Sequence, residues 1–108
     1  MLSRHTEKLV NRCFDLTEQS KVRLLLEQQC SNELPLVGDN AALIERIQVA
    51  VIKLSQGKMG QLKNWIMEAQ EDWRDVLDAA DFYSDSNAHW NWRPELFPMN
   101  GDARRFNF

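Results

Sequence analysis

Five carboxylates in the second half of the chain recur at the spacing of one face of an α-helix. At about 100° per residue they fall within about 120° of one another, and they are Glu68, Glu71, Asp72, Asp75 and Asp78. Like charges on one rigid face raise the local negative potential, so this acidic surface can attract a basic partner or a hard cation. A single helix face cannot surround a cation with six or more oxygens. The simplest interpretation is therefore a solvated face, with a basic partner and a metal site as alternatives.

Three lysines flank a short glycine turn between two predicted helices, in a pattern that resembles a helix-turn-helix. They are Lys53, Lys58 and Lys63, and the turn is at residues 54–58. A recognition helix that starts at Lys58 runs directly into the acidic surface, which a phosphate backbone would repel. The net charge of −3, from 13 basic and 16 acidic residues, also argues against a general nucleic-acid binder. A nucleic-acid-associated regulator is thus the alternative function, and nucleic acid is an unlikely partner.

The residues with the softest ligand atoms are two cysteines and two histidines, and they are far apart in the chain. Cys13 and Cys30 lie on or beside apolar stripes at helical spacing, which predicts buried, reduced thiols. A zinc site would need both of them to converge with His5 and His89. The sequence also lacks a nucleophile elbow, a phosphate loop and a paired-glycine fingerprint. We expect no cofactor, no metal and no enzymatic activity, and a small-molecule-binding or enzymatic domain is the third interpretation.

Five of the chain's ten aromatic residues lie after Ser84, in a segment with no sustained helical period. Two prolines and a glycine exclude a long helix there, although a short helix over residues 87–92 fits. Apolar rings in such a segment either fold back on the core, which is the favoured arrangement, or dock on another chain, where aromatic side chains often dominate binding. Disorder of the segment is the third alternative. The candidate partner-binding residues are Trp90, Trp92, Leu96 and Phe97. The partner would be another protein or a second copy, as in a homodimer formed through this tail.

The elements that position these residues are predicted to be helices. Ser3 caps a first helix whose apolar stripe is Leu2, Leu9, Cys13 and Leu16. A capping box at residues 15–18 begins a second helix that ends near Cys30. Breaker residues at positions 31–40 form a loop, followed by a third helix over 41–55, apolar on nearly all sides, which Gly57 ends. A continuous stripe from Met59 to Ala80 predicts a long helix with a break near residues 70–72.

These patterns predict an all-α fold, a compact bundle of four to five helices over residues 1–83 with an irregular aromatic-rich tail at 84–108. The composition, 44% hydrophobic and 27% charged, is that of an ordinary soluble domain. The sequence has no run near the ~20 apolar residues that a membrane span requires. Its first residues are charged where a signal peptide is apolar. We therefore expect a cytoplasmic protein without a membrane partner.

Two segments resemble a set of small helical bacterial proteins of uncharacterised function. They are ERIQVAVIKLSQG at residues 45–57 and DWRDVLDAA at residues 72–80. The resemblance extends over about residues 22–82 and implies a helical bacterial domain, without an activity or a functional residue. The predicted function is a non-catalytic protein–protein interaction module.

Overall fold

A computed structural model describes residues 2–94, which form five α-helices and no strand. The helices are α1 (Arg4–Cys13), α2 (Leu16–Gln29), α3 (Ala41–Ser55), α4 (Met59–Ala79) and α5 (Ala88–Asn91). This confirms the predicted all-α bundle and the short helix in the aromatic tail. Within the described residues, no helix is both long and apolar enough to cross a bilayer.

Two helix starts, those of α1 and α3, follow the capping chemistry of the sequence. The side chain of Ser3 accepts the N–H of Thr6 at the start of α1, and that of Asn40 accepts the N–H of Leu43 at the start of α3. The capping box predicted at Asp15 is wrong, because its side chain makes no cap hydrogen bond. The backbone carbonyl of Asp15 accepts the N–H groups of Glu18 and Gln19.

Leu16 does not belong to the stripe of α1, contrary to the prediction. It is 83% exposed. Phe14 and Asp15 both have extended backbone between α1 and α2. The helical phase that places Leu9 and Cys13 in the core is therefore lost before residue 16, and Leu16 starts a new helix on its solvent side.

Helix α3 is central, as its all-round apolar character predicts. Every residue from 47 to 52 is buried, and α3 packs most extensively against α4. Its buried polar side chain, Gln48, donates from Nε2 to the carbonyl of Cys30 at 3.0 Å and ties α3 to the end of α2. Gly57 follows α3 with φ of 78°, a left-handed conformation that favours glycine.

The predicted break in the long helix is present at Asp72, whose φ of −157° and ψ of 96° are not helical. The side chain of Asp72 accepts the N–H of Arg74 at 3.1 Å and so caps the second half of α4. On either side of this kink, Gln70 donates to the carbonyl of Gln29, and Trp73 donates from Nε1 to the carbonyl of Pro35 at 2.6 Å. The kink is thereby attached to α2 and to the α2–α3 loop.

Both cysteines are free and buried, as predicted. Burial raises the pKa of the Cys13 thiol from its usual 9.0 to about 12, and burial also raises the pKa of Cys30. Because an unfolded chain releases these protons above pH 9 while the folded chain keeps them, the thiols stabilise the fold less as the pH rises from 9 towards 12.

We expect neither thiol to react with a maleimide at pH 8 until denaturant is added. A rise in pKa of this size lowers the thiolate fraction of Cys13 about a thousandfold, and the thiolate is the nucleophile. Mass spectrometry of the native and the denatured protein measures the number of labels. Rapid labelling of the native protein, or a disulfide in unreduced protein, would contradict the prediction.

Candidate interaction groove

A surface groove of about 730 Å³ lies between α3, the C-terminal half of α4 and the segment that contains α5. Three aromatic side chains contribute to its wall, from the kink of α4, the α4–α5 linker and α5. They are Trp73, Tyr83 and Trp90. Glu45, Arg46 and His89 supply charged or titratable groups to the same wall. This arrangement is called the aromatic groove below.

Two cations of α3 hold the α4–α5 linker that forms one side of the aromatic groove. Lys53 donates from Nζ to the carbonyl of Ala80 at 2.7 Å and lies 4.9 Å from the ring centre of Phe82. Arg46 donates to the carbonyls of Phe82 and Tyr83, at 2.7 and 3.2 Å. The ring of Phe82 is 2% exposed, so the linker is fixed by its side chain as well as by its carbonyls.

His89 fixes α5 to α3. It is 2% exposed, and its Nε2 lies 3.0 Å from Oε1 of Glu45, whose side chain is only 12% exposed. A proton on Nε2 allows His89 to donate to the carboxylate whether the ring is neutral or charged. The Nδ1 atom is buried and has no hydrogen-bond partner within the described residues. The contact therefore orients the ring through one nitrogen only.

Both histidines of the chain meet at this end of the bundle. Nε2 of His5, on α1, lies 3.1 Å from the carbonyl oxygen of His89 and donates to it when protonated. The ring of His5 stacks on Trp90 with 4.4 Å between ring centres and 26° between planes. Trp90 is thus held on one face while the side chain stays 49% exposed.

The other candidate partner-binding residues have different surroundings. Trp92 is half-buried and packs against the core, which is the fold-back arrangement. Leu96 and Phe97 lie outside the described residues. Of the four candidates, Trp90 is thus the one that the structure places on an exposed part of the aromatic groove.

The acidic surface is divided by the kink of α4. Glu68 and Glu71 precede it and are exposed, whereas Asp75 and Asp78 follow it and are exposed beside Tyr83. Asp72 lies at the kink, where the hydrogen bond from Arg74 lowers the pKa of its carboxyl and raises the pKa of the guanidinium. Among residues 2–94, no three acidic, histidine or cysteine side chains are close enough to hold a metal ion.

Of the three lysines that suggested a nucleic-acid-associated regulator, only two are exposed at the surface. Lys58 and Lys63 are exposed at the start of α4. Lys53 is instead engaged by the carbonyl of Ala80, where a cation also offsets the negative end of the α4 dipole.

The Glu45–His89 contact was missed from the sequence because 44 residues separate the two side chains. Neither belongs to a motif, and the sequence suggested His89 only as a candidate zinc ligand. The contacts of Arg46 and Lys53 with the α4–α5 linker were weakly indicated by the sequence. These two cations are seven residues apart and therefore share one face of an otherwise apolar helix.

The resemblance of residues 45–57 and 72–80 to small helical bacterial proteins stays a prediction. No family model, no curated protein and no solved structure matches this chain.

Proposed function

We propose that this protein is a non-catalytic protein–protein interaction module that binds its partner in the aromatic groove. The observation that supports this most is the exposure of two aromatic side chains on one groove, 54% for Tyr83 and 49% for Trp90. Tryptophan and tyrosine are the side chains most enriched where truncation weakens binding strongly. The volume of about 730 Å³ is enough for several side chains of a partner.

The groove is organised before a partner binds. His5 stacks on Trp90, His89 is bonded to Glu45, and Arg46 holds the backbone carbonyl of Tyr83. Side chains and backbone that are already ordered lose less conformational entropy on binding, so more of the contact energy contributes to affinity. A groove at one end of a helical bundle can thus bind a peptide or a protein surface through a small number of strongly contributing side chains.

The buried Glu45–His89 pair supports binding and not acid–base catalysis. Nε2 of His89 is engaged by the carboxylate, and Nδ1 is buried. A general base must reach the proton that it removes, either directly or through one water molecule. Neither nitrogen meets that condition at the surface of the groove, so the pair serves to attach α5 to α3.

The test is capture of a partner by the tagged full chain from an extract of the cells that produce it. We expect a protein that is retained by the parent chain and lost with Trp90→Ala, because hot-spot truncations cost at least ~2 kcal/mol, or about thirtyfold in affinity. Leu24→Ala is the matched control, since Leu24 is 52% exposed on α2, away from the groove. Circular dichroism establishes that both variants are folded.

The same test includes a second copy of the chain as the partner. Light scattering over a range of protein concentrations measures self-association, and a dimer that is lost with Trp90→Ala supports the proposal in the same way. The proposal is wrong if Trp90→Ala, Tyr83→Ala and Leu24→Ala all retain the same partners and the same oligomeric state as the parent.

A further inference from the structure

We propose that, in the free protein, the aromatic groove is occupied by the chain's own residues 104–108, which a partner must displace. This inference rests on the proposed function, because it takes the aromatic groove as the binding site. The segment is Arg104-Arg105-Phe106-Asn107-Phe108. It lies outside the described residues, and the chemistry of the groove and the length of the connecting chain favour it as the occupant.

The groove favours a segment that carries both aromatic rings and positive charge. Trp90 and Tyr83 present exposed rings, which bind apolar side chains and also attract guanidinium groups. Asp75 and Asp78 lie beside Tyr83, are exposed and form no ion pair within the described part of the chain. An incoming cation therefore meets two exposed carboxylates beside Tyr83, and Arg74 offsets part of the charge of Asp75.

The cations already present at the groove form no salt bridge with these carboxylates, although Arg74 attracts the neighbouring Asp75 through charge. Arg46 donates to two backbone carbonyls, and Arg74 pairs with Asp72 at 3.0 Å. Within residues 95–108 the only basic side chains are Arg104 and Arg105, and both precede two phenylalanines. The charge and the rings of this segment thus complement those of the groove.

The connecting chain is long enough. Trp90, on the groove, is four residues before Pro94, the last described residue. Residues 95–104 can extend over at most ~33–36 Å, which exceeds the ~14 Å that the four residues from Trp90 to Pro94 can span. A tethered segment at this distance has an effective concentration in the millimolar range. A dissociation constant below the millimolar range is therefore enough to fill most of the groove.

The test uses the full chain with the photo-crosslinking residue benzoylphenylalanine in place of Phe106, and in a second protein in place of Phe108. We expect crosslinks within one chain to peptides that contain Trp73, Tyr83 or Trp90, with a yield independent of protein concentration. The same residue in place of Leu24 is the control and is expected to give no crosslink to the groove.

Charge is tested with two double variants that carry the crosslinker at position 106. Arg104→Ser/Arg105→Ser removes the cations, and Asp75→Asn/Asp78→Asn removes the exposed carboxylates without adding bulk. Each is expected to lower the yield of groove crosslinks at least fivefold at low salt and less at high salt, where charges are screened. Crosslinks that map elsewhere, that are insensitive to both variants, or that join two chains would overturn the proposal.

The outcomes separate this inference from the proposed function. If Trp90→Ala loses a partner but the crosslinks miss the groove, the groove binds partners and this inference is wrong. If the crosslinks map to the groove but no partner or dimer depends on Trp90, the segment occupies the groove and the proposed function is wrong. Where both hold, Arg104→Ser/Arg105→Ser is expected to bind the captured partner about tenfold more tightly than the parent.

Discussion

Replacement of Phe82 by alanine is expected to lower the free energy of unfolding by about 3–5 kcal/mol, the usual loss for a buried phenylalanine. The ring is 2% exposed and lies between the cation of Lys53 and the edge of the His89 ring. Its removal leaves a cavity beneath the α4–α5 linker, on which Tyr83 and one side of the aromatic groove depend. Urea denaturation followed by circular dichroism measures the change.

Tyr83→Ala is the matched control for this variant, because the neighbouring side chain is 54% exposed. Substitutions at exposed positions usually change stability by about 0.5 kcal/mol or less. If Phe82→Ala is too unstable to purify, Phe82→Leu keeps part of the volume and is expected to show a smaller loss in the same direction. Equal stabilities of the Phe82 and Tyr83 variants would show that Phe82 does not hold the linker.

Replacement of His89 by alanine is expected to lower stability by about 2–3 kcal/mol, through loss of a hydrogen bond to a charged acceptor and of the buried ring. The carboxylate of Glu45 then remains largely buried without its partner. Because α5 loses its attachment to α3, Trp90 is expected to leave His5, and partner binding is expected to fall although His89 itself is buried. Chemical denaturation and tryptophan fluorescence measure the two effects.

A double-mutant cycle with Glu45→Gln tests whether the two residues act through each other. We expect their effects to be non-additive by at least ~0.5 kcal/mol, as is usual for residues in direct contact. Asn91→Ala is the control on α5, since Asn91 is exposed. Additive effects in the cycle, or an Asn91→Ala variant as unstable as His89→Ala, would contradict this role.

Helical periodicity was enough to predict the main elements of the bundle. The stripe from Met59 to Ala80 and the all-round apolar residues of α3 depend on neighbours three and four positions apart, which a sequence displays directly. The kink of α4 was also predictable, because Asp72 is a good capping residue in the middle of a stripe too long for a small domain. Its carboxylate caps the backbone N–H of Arg74.

The local patterns were misleading between α1 and α2, where the apolar spacing continues in the sequence but the helix does not. Leu16 fits the spacing of Leu9 and Cys13, yet two extended residues separate it from α1 and expose it. Asp15 has the type and spacing of a cap, but only its backbone carbonyl is used. A periodic pattern cannot show a change of chain direction when neither glycine nor proline marks it.

The sequence by itself determined the helices, the buried thiols and the acidic and aromatic segments, because these follow from local spacing and side-chain polarity. Only the tertiary structure decided which of those residues share a site. His5 meets His89 across 84 positions, and Glu45 meets it across 44. Such contacts depend on how α1, α3 and α5 pack, and the packing is set by the shapes of many buried side chains together. No short segment of the sequence contains that information.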